Sequence, residues 1–157
     1  MPLKIEIQGD KQARNNLGQF SRALGAEAND IIREVAEYTV QIARHEAPED
    51  LGAGKRSIHA EVHGLHAEVT TSKAYMVVQE YGRAPGATPP TVAHIAGWGI
   101  RHGFAESQLY MLAQSIGRKG FAGKLFMSQA AVAADVYLRE RMRLAGAKIT
   151  KFTFGRF

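Results

Sequence analysis

The chain contains no cysteine in 157 residues. That absence excludes disulfides, thiolate metal sites and thiol nucleophiles together. Long apolar runs are missing too. Nothing approaches the roughly 20 consecutive apolar residues of a membrane-spanning helix. The opening Met1-Pro2-Leu3-Lys4-Ile5-Glu6 lacks the apolar core of a secretory signal, so the expectation is a protein made and kept in the cytoplasm, with no membrane partner. There is no internal repeat, no low-complexity tract, no nucleophile elbow and no kinase-type signature. Apolar residues do make up 45% of the chain, an ordinary share for a folded domain of this length with its own core.

The net charge of +5 is unevenly placed. Residues 139–157 carry Arg139, Arg141, Arg143, Lys148, Lys151 and Arg156 against the single acid Glu140, while the rest of the chain balances. A basic tail on a neutral body suits nucleic acid or an acidic partner surface. The plainer reading puts Arg139, Arg141 and Arg143 in the last turns of a helix, where cations are favoured by the helix dipole.

Periodicity predicts the elements. Leu3 to Gln8 alternates and predicts a strand. Residues 13–46 carry Leu17, Phe20, Leu24, Ala28, Ile31, Ile32, Val35, Thr39 and Ile42 on one stripe, which predicts a long amphipathic helix, with a break possible near Gly25 and a stop at Pro48. Alternation over 57–63 and 67–71, with Gly64-Leu65 between, predicts two strands and a turn. The core Tyr75-Met76-Val77-Val78 fits a third strand or a short helix. Gly82 to Pro90 holds Pro85, Gly86, Pro89 and Pro90 and stays irregular. Helices are predicted near 92–102, with Thr91 as cap, near 106–116, and from Phe126 to Leu144. The alternating end, Lys148 to Phe154, predicts an edge strand or extended arm. The fold class is therefore α+β: a long N-terminal helix packed on one small, mostly antiparallel sheet of about four strands, with additional C-terminal helices. The organisation is a single domain over 1–144 and a basic, aromatic C-terminal arm over 145–157.

Three chemical readings compete with a purely structural role. Leu51-Gly52-Ala53-Gly54-Lys55-Arg56-Ser57 has the look of a phosphate loop, but Glu49 stands where the first glycine belongs and Arg56 where Ser or Thr belongs. His59, Glu61 and His63 share one face of a strand and are the residue types that bind zinc or iron; an exposed polar sheet face is the commoner meaning. Phe121, Phe126, Phe152, Phe154 and Phe157 lie near basic residues, the mixture used in base stacking with phosphate contact. An aromatic arm pairing along a neighbouring subunit explains the end of the chain equally well.

An ordered series of segments is more specific. A long helix ends in Ala47-Pro48; Asp50-Leu51-Gly52 and Lys55-Arg56-Ser57-Ile58 follow. Then come Glu80-Tyr81-Gly82-Arg83, Pro85-Gly86-Ala87-Thr88-Pro89-Pro90, a helix with Trp98, Ile116-Gly117-Arg118-Lys119-Gly120 and Gly123-Lys124-Leu125-Phe126. Over about residues 28–135 this order resembles the small neck proteins of long-tailed bacteriophages, known as head–tail joining, tail completion or minor tail proteins. Two positions depart from the family pattern: Leu51 where many relatives have Thr, and Leu125 where many have Pro.

The resemblance implies a structural virion protein with no catalysis and no cofactor. It would be a homo-oligomeric ring, expected as a hexamer, between the portal or head-completion proteins and the tail terminator or tail tube. It would be assembled in the host bacterial cytoplasm and end in the neck of the virion. Tyr81, Arg83, Pro85, Pro89, Pro90, Trp98, Phe152 and Phe154 are the expected protein-interface residues. Arg118, Lys119, Lys124, Arg141 and Arg143 are candidates for contact with packaged DNA or an acidic ring. The rivals are a tail terminator, a basic nucleic-acid-binding accessory protein and a histidine-site metalloenzyme.

Overall fold

The computed structural model describes the backbone of residues 10–154 and the side chains of residues 14–149. The strand expected at Leu3 to Gln8 lies outside the described residues.

Helix α1 runs unbroken over Asp10–Glu46. Gly18 and Gly25 each weaken a helix by about 1 kcal/mol, yet neither interrupts it. The loop before the sheet holds a short helix α2, Ala53–Ser57. Strands β1, Ile58–His63, and β2, His66–Thr71, form an antiparallel hairpin in the register Ile58↔Thr71 to His63↔His66, with Gly64-Leu65 as a two-residue turn. The segment left open between strand and helix is a helix, α3, Ala74–Tyr81. Its run of adjacent apolar residues has no two-residue period to hold it in a sheet.

The expected single sheet of four strands is two separate ribbons. Beside the β1–β2 hairpin, β3 (Gly82–Arg83) pairs antiparallel with β4 (Phe121–Ala122). Helices α4, Val92–Arg101, and α5, Leu109–Lys119, lie between these strands and pack on each other as a helical hairpin; a 3₁₀ turn at Glu106–Gln108 leads into α5. Thr91 stands at the start of α4, but its hydroxyl makes no capping bond; its backbone carbonyl accepts from the His94 N–H instead. Helix α6 spans Phe126–Phe154. The edge strand or arm expected at 148–154 is therefore helical. No proline follows Leu144, the exposed Gly146 does not break the helix, and adding residues to a formed helix is easy once it is nucleated.

The core lies where α1, the hairpin, α3 and α6 meet. Ala43, Ile58, Phe126 and Ala130 have no exposed surface, and Met76 and Ala47 are nearly as enclosed. Burying a side chain the size of Ile, Met or Phe stabilises by roughly 1.5–3 kcal/mol. Alanines at 43 and 130 let α1 and α6 approach closely. The Arg44 guanidinium donates to the Ile58 carbonyl at 2.6 and 3.1 Å, fixing the start of β1 against α1. Together these elements are the α+β arrangement expected from the periodicity: a long helix, a small antiparallel hairpin and further helices.

Candidate interaction surface

The segment from Glu80 to Pro90 acts as a strap that ties two helix ends together. Glu80 is 3% exposed. Its carboxylate accepts from the Met127 N–H at 2.8 Å, the Ser128 N–H at 3.0 Å and the Ser128 hydroxyl at 2.6 Å. The first turn of a helix leaves its N–H groups without partners inside the helix, and a carboxylate there is also favoured by the helix dipole. Glu80 thus caps α6 from the end of another helix. The backbone locks the same junction: the N–H groups of Lys124 and Leu125 donate to the carbonyls of Gln79 and Glu80 at 2.8 and 3.1 Å.

Further along, the Gly86 N–H donates to the carbonyls of Gly117 and Arg118 at 2.9 and 3.3 Å, closing the C-terminal end of α5. The chains cross so tightly that a side chain does not fit. A Cβ on Gly123 would fall onto the Glu80 carbonyl and the Tyr81 backbone, and one on Gly82 would strike the backbone of Phe121 to Gly123. Gly82 also has φ of 78°, a conformation that favours glycine.

Leu125 has φ of 53°, the single non-glycine residue with positive φ among those described. Proline cannot adopt that angle, since its ring holds φ near −65°. Leucine rather than proline at position 125 is therefore what this backbone permits.

The strap presents part of the expected interface and withdraws the rest. Tyr81 is 74% exposed, and Pro85 is exposed at the tip. Pro89 and Pro90 are half-buried, Pro89 resting against Gly117. Arg83 turns inward: its guanidinium donates to the Thr88 carbonyl across the loop, and its Nε is buried without an acceptor. Trp98, on α4, is neither core nor fully free. It stacks on His102 at 4.3 Å and 23° and lies 6.3 Å from Phe104, with 40% of its surface exposed. For Phe152 and Phe154 only the backbone, inside α6, is described.

The basic candidates separate in the same way. Arg118, Lys119 and Lys124 are exposed on either side of β4. Arg141 instead reaches across to α1, where it pairs with Glu34 at 2.6 Å. Arg143 pairs with Glu140 at 2.7 Å, Arg139 with Asp135 at 2.8 Å, and Lys148 with Glu27 at 3.5 Å. Since α6 continues to Phe154, Arg139, Arg141 and Arg143 stand in mid-helix, away from its last turn, and what holds them is the neighbouring acids.

The Tyr137 hydroxyl donates to Glu34 at 2.5 Å while its ring stacks on Tyr38 at 4.4 Å. That hydrogen bond, joined by the Arg141 guanidinium, holds the Glu34 carboxyl below its usual range, and it pushes the Tyr137 phenol up. Likewise Arg101 lowers Asp50, and Arg143 lowers Glu140.

His59, Glu61 and His63 do project from the outer face of β1. His59 lies 3.6 Å from Glu61 and its Nδ1 meets the Ser57 carbonyl at 2.9 Å. Among the described residues no group of three or more His, Asp or Glu is placed to hold a metal ion, and no helix is long and apolar enough to cross a membrane.

Sequence reasoning did not find one feature of this surface. An open groove of about 710 Å³ runs between α1, β2 and the start of α6. Its walls include Ile32, Val35 and Ala36 from α1, Leu65 at the hairpin turn, and Ala131 and Leu138 from α6, with Tyr81 at its edge. The stripe on α1 was visible in the sequence, but the incomplete cover over it was not.

No family model, no curated protein and no solved structure matches the chain.

Proposed function

We propose that this chain is a structural neck protein of a long-tailed bacteriophage, acting in tail completion or head–tail joining as a ring between the portal complex and the tail. It works through protein contacts and uses no cofactor. Its place is the virion, and its partners are copies of itself, the portal or head-completion proteins above, and the terminator or tail tube below.

The observation that carries the reading is the meeting of two segments 40 residues apart in the ordered series. Glu80-Tyr81-Gly82-Arg83 and Gly123-Lys124-Leu125-Phe126 form one junction, through the Glu80 cap and the glycine crossing. A stiff loop loses little conformational freedom when it docks, and the strap is stiffened at both ends. It holds out Tyr81, a residue type that dominates interface energetics. The exposed Arg118, Lys119 and Lys124 beside it suit an acidic neighbouring ring or packaged DNA.

Electron microscopy of an induced lysate whose copy of this gene carries an early stop codon tests the proposal. The expected result is filled heads beside unattached tails of normal length. Overlong tails reassign the chain to the terminator role, and intact infectious virions overturn the neck reading.

A further inference from the structure

The cations of the folded chain divide into those with an acid beside them and those without. Arg139, Arg141, Arg143 and Lys148, which carry much of the positive excess in the sequence, each pair with a carboxylate on α1 or α6. The strap, the α4–α5 hairpin and β4 are different. Between Tyr81 and Ala134 the sole acid is Glu106, against Arg83, Arg101, Arg118, Lys119 and Lys124. Two of these cations are committed: Arg83 donates to the Thr88 carbonyl, and Arg101 pairs with Asp50. Arg118, Lys119 and Lys124 are exposed and make no ion pair with any described residue.

The nearest acids in the chain do not neutralise them. Glu106 opens the turn into α5, and 12 residues at about 1.5 Å each set it roughly 18 Å from Arg118. Glu80 lies beside the ribbon but is buried, and its carboxylate accepts from three donors in the first turn of α6.

Strand β4 sets an aromatic ring among the three cations. Of the phenylalanines that the sequence places near basic residues, Phe126 has no exposed surface, whereas Phe121 is 38% exposed. It stands between Lys119 and Lys124 and is paired to Arg83 in the β3–β4 ribbon. Gly82, Gly120 and Gly123 cross backbone too closely for a Cβ, so ring and charges sit on a stiff support that loses little freedom on binding. An acidic protein surface would satisfy the charges alone. A single strand of nucleic acid satisfies both features, since its phosphates meet the cations and an unpaired base offers the ring a flat face.

We propose that Arg118, Lys119 and Lys124, with Phe121 between them, bind single-stranded nucleic acid without sequence preference. The site is the β4 ribbon and the end of α5, away from the basic C-terminal segment that the sequence alone suggests.

Fluorescence anisotropy of the full-length chain with a labelled mixed-sequence strand of about 30 nucleotides tests the site. Three phosphate contacts on a single strand give a slope of about −2 in log K against log salt, so binding should weaken roughly 16-fold between about 50 and 200 mM salt. The chain with Arg118→Ala, Lys119→Ala and Lys124→Ala should lose most of that slope and bind at least about tenfold more weakly at the lower salt. Arg139→Ala with Arg143→Ala, which removes cations already paired, should change affinity less than about twofold. Phe121→Leu keeps the bulk without the aromatic face and should weaken binding about fivefold or more, while Phe121→Tyr retains it. No binding at the lower salt, or an unchanged slope in the triple variant, overturns the site. Equal affinity for poly-glutamate also overturns it, by reassigning the patch to an acidic protein. Duplex bound as tightly as the single strand, with Phe121→Leu unaffected, overturns the stacking contact. The inference goes beyond the neck reading, and the two fail separately: unattached tails without binding leave the neck role and remove this site, whereas binding with intact virions leaves the site and removes the neck role.

Discussion

The α1–α6–hairpin body and the α4–α5 hairpin are held together by different means. In the body, closure comes from side chains with no exposed surface, Ile58 and Phe126 above all, and from alanines that bring two long helices close. In the α4–α5 hairpin the buried side chains are Leu109 and Ala113, and closeness comes from glycines: Gly99 lies against Leu109, and Gly117 against Pro89. The hairpin is moored to the body by the strap, and by an exposed Arg101–Asp50 ion pair. One region owes its stability to burial, and the other owes its position to backbone crossings that leave no room for a Cβ. Changes in the first should alter how stable the protein is; changes in the second should alter where the hairpin sits.

The largest effect should come from Phe126→Ala. It empties the centre of the core and should cost about 3–5 kcal/mol, read as a lower urea midpoint. A loss below 1 kcal/mol would show that Phe126 is not the keystone of the body. Next is Gly123→Ala, whose added Cβ must push the backbone of Glu80 and Tyr81 away; about 2–3 kcal/mol is expected. Its sharper signature is regional: amide exchange in α4 and α5 should quicken more than in α1 and α6. Equal acceleration everywhere would erase the distinction between the two regions.

A smaller, pH-dependent effect should follow Tyr137→Phe. Glu34 is lowered from 4.5 first by the Tyr137 hydroxyl and then by Arg141. A carboxyl depressed in the folded state contributes stability above pH 4.5, and loses it as pH falls through the folded value. The gap between wild type and Tyr137→Phe should therefore be open near neutrality and close on acidification; a gap that widens in acid would contradict the assignment. The smallest effect should be that of Asp50→Asn. Its pair with Arg101 is solvent-exposed, and such pairs contribute little, so the melting midpoint should barely move while exchange in α4 rises slightly.

The sequence was most legible where one period governed a segment. The hairpin was visible in the alternation of 57–63 and 67–71, within a residue of the strands that form, and α1 in a stripe that runs through two glycines. The same rule misled at Lys148 to Phe154, where alternating residues continue a helix already formed, because two-residue alternation is a weak signal against propagation. The division of the sheet into two ribbons was hidden in β3 and β4, which are two residues each and carry no pattern of their own. The strap was half legible. Its prolines and glycines marked an irregular stretch, but the role of Glu80 depends on N–H groups 47 and 48 residues later, and no local pattern encodes that. Arg141 looked like a free cation for the same reason: Glu34, its partner, stands 107 residues earlier.

That separation has a consequence for the birth of the protein. The half of α1 that ends up buried is made early, whereas the Phe126 and Ala130 that cover it come some 80 residues later. At about 5–20 residues per second, the ribosome leaves that apolar face bare for roughly 4–16 seconds. During that interval the nascent chain displays an amphipathic helix with nothing to lie against. A cell making many copies at once would hold many such helices near one another, so synthesis itself sets a demand for chaperones that the finished fold no longer shows.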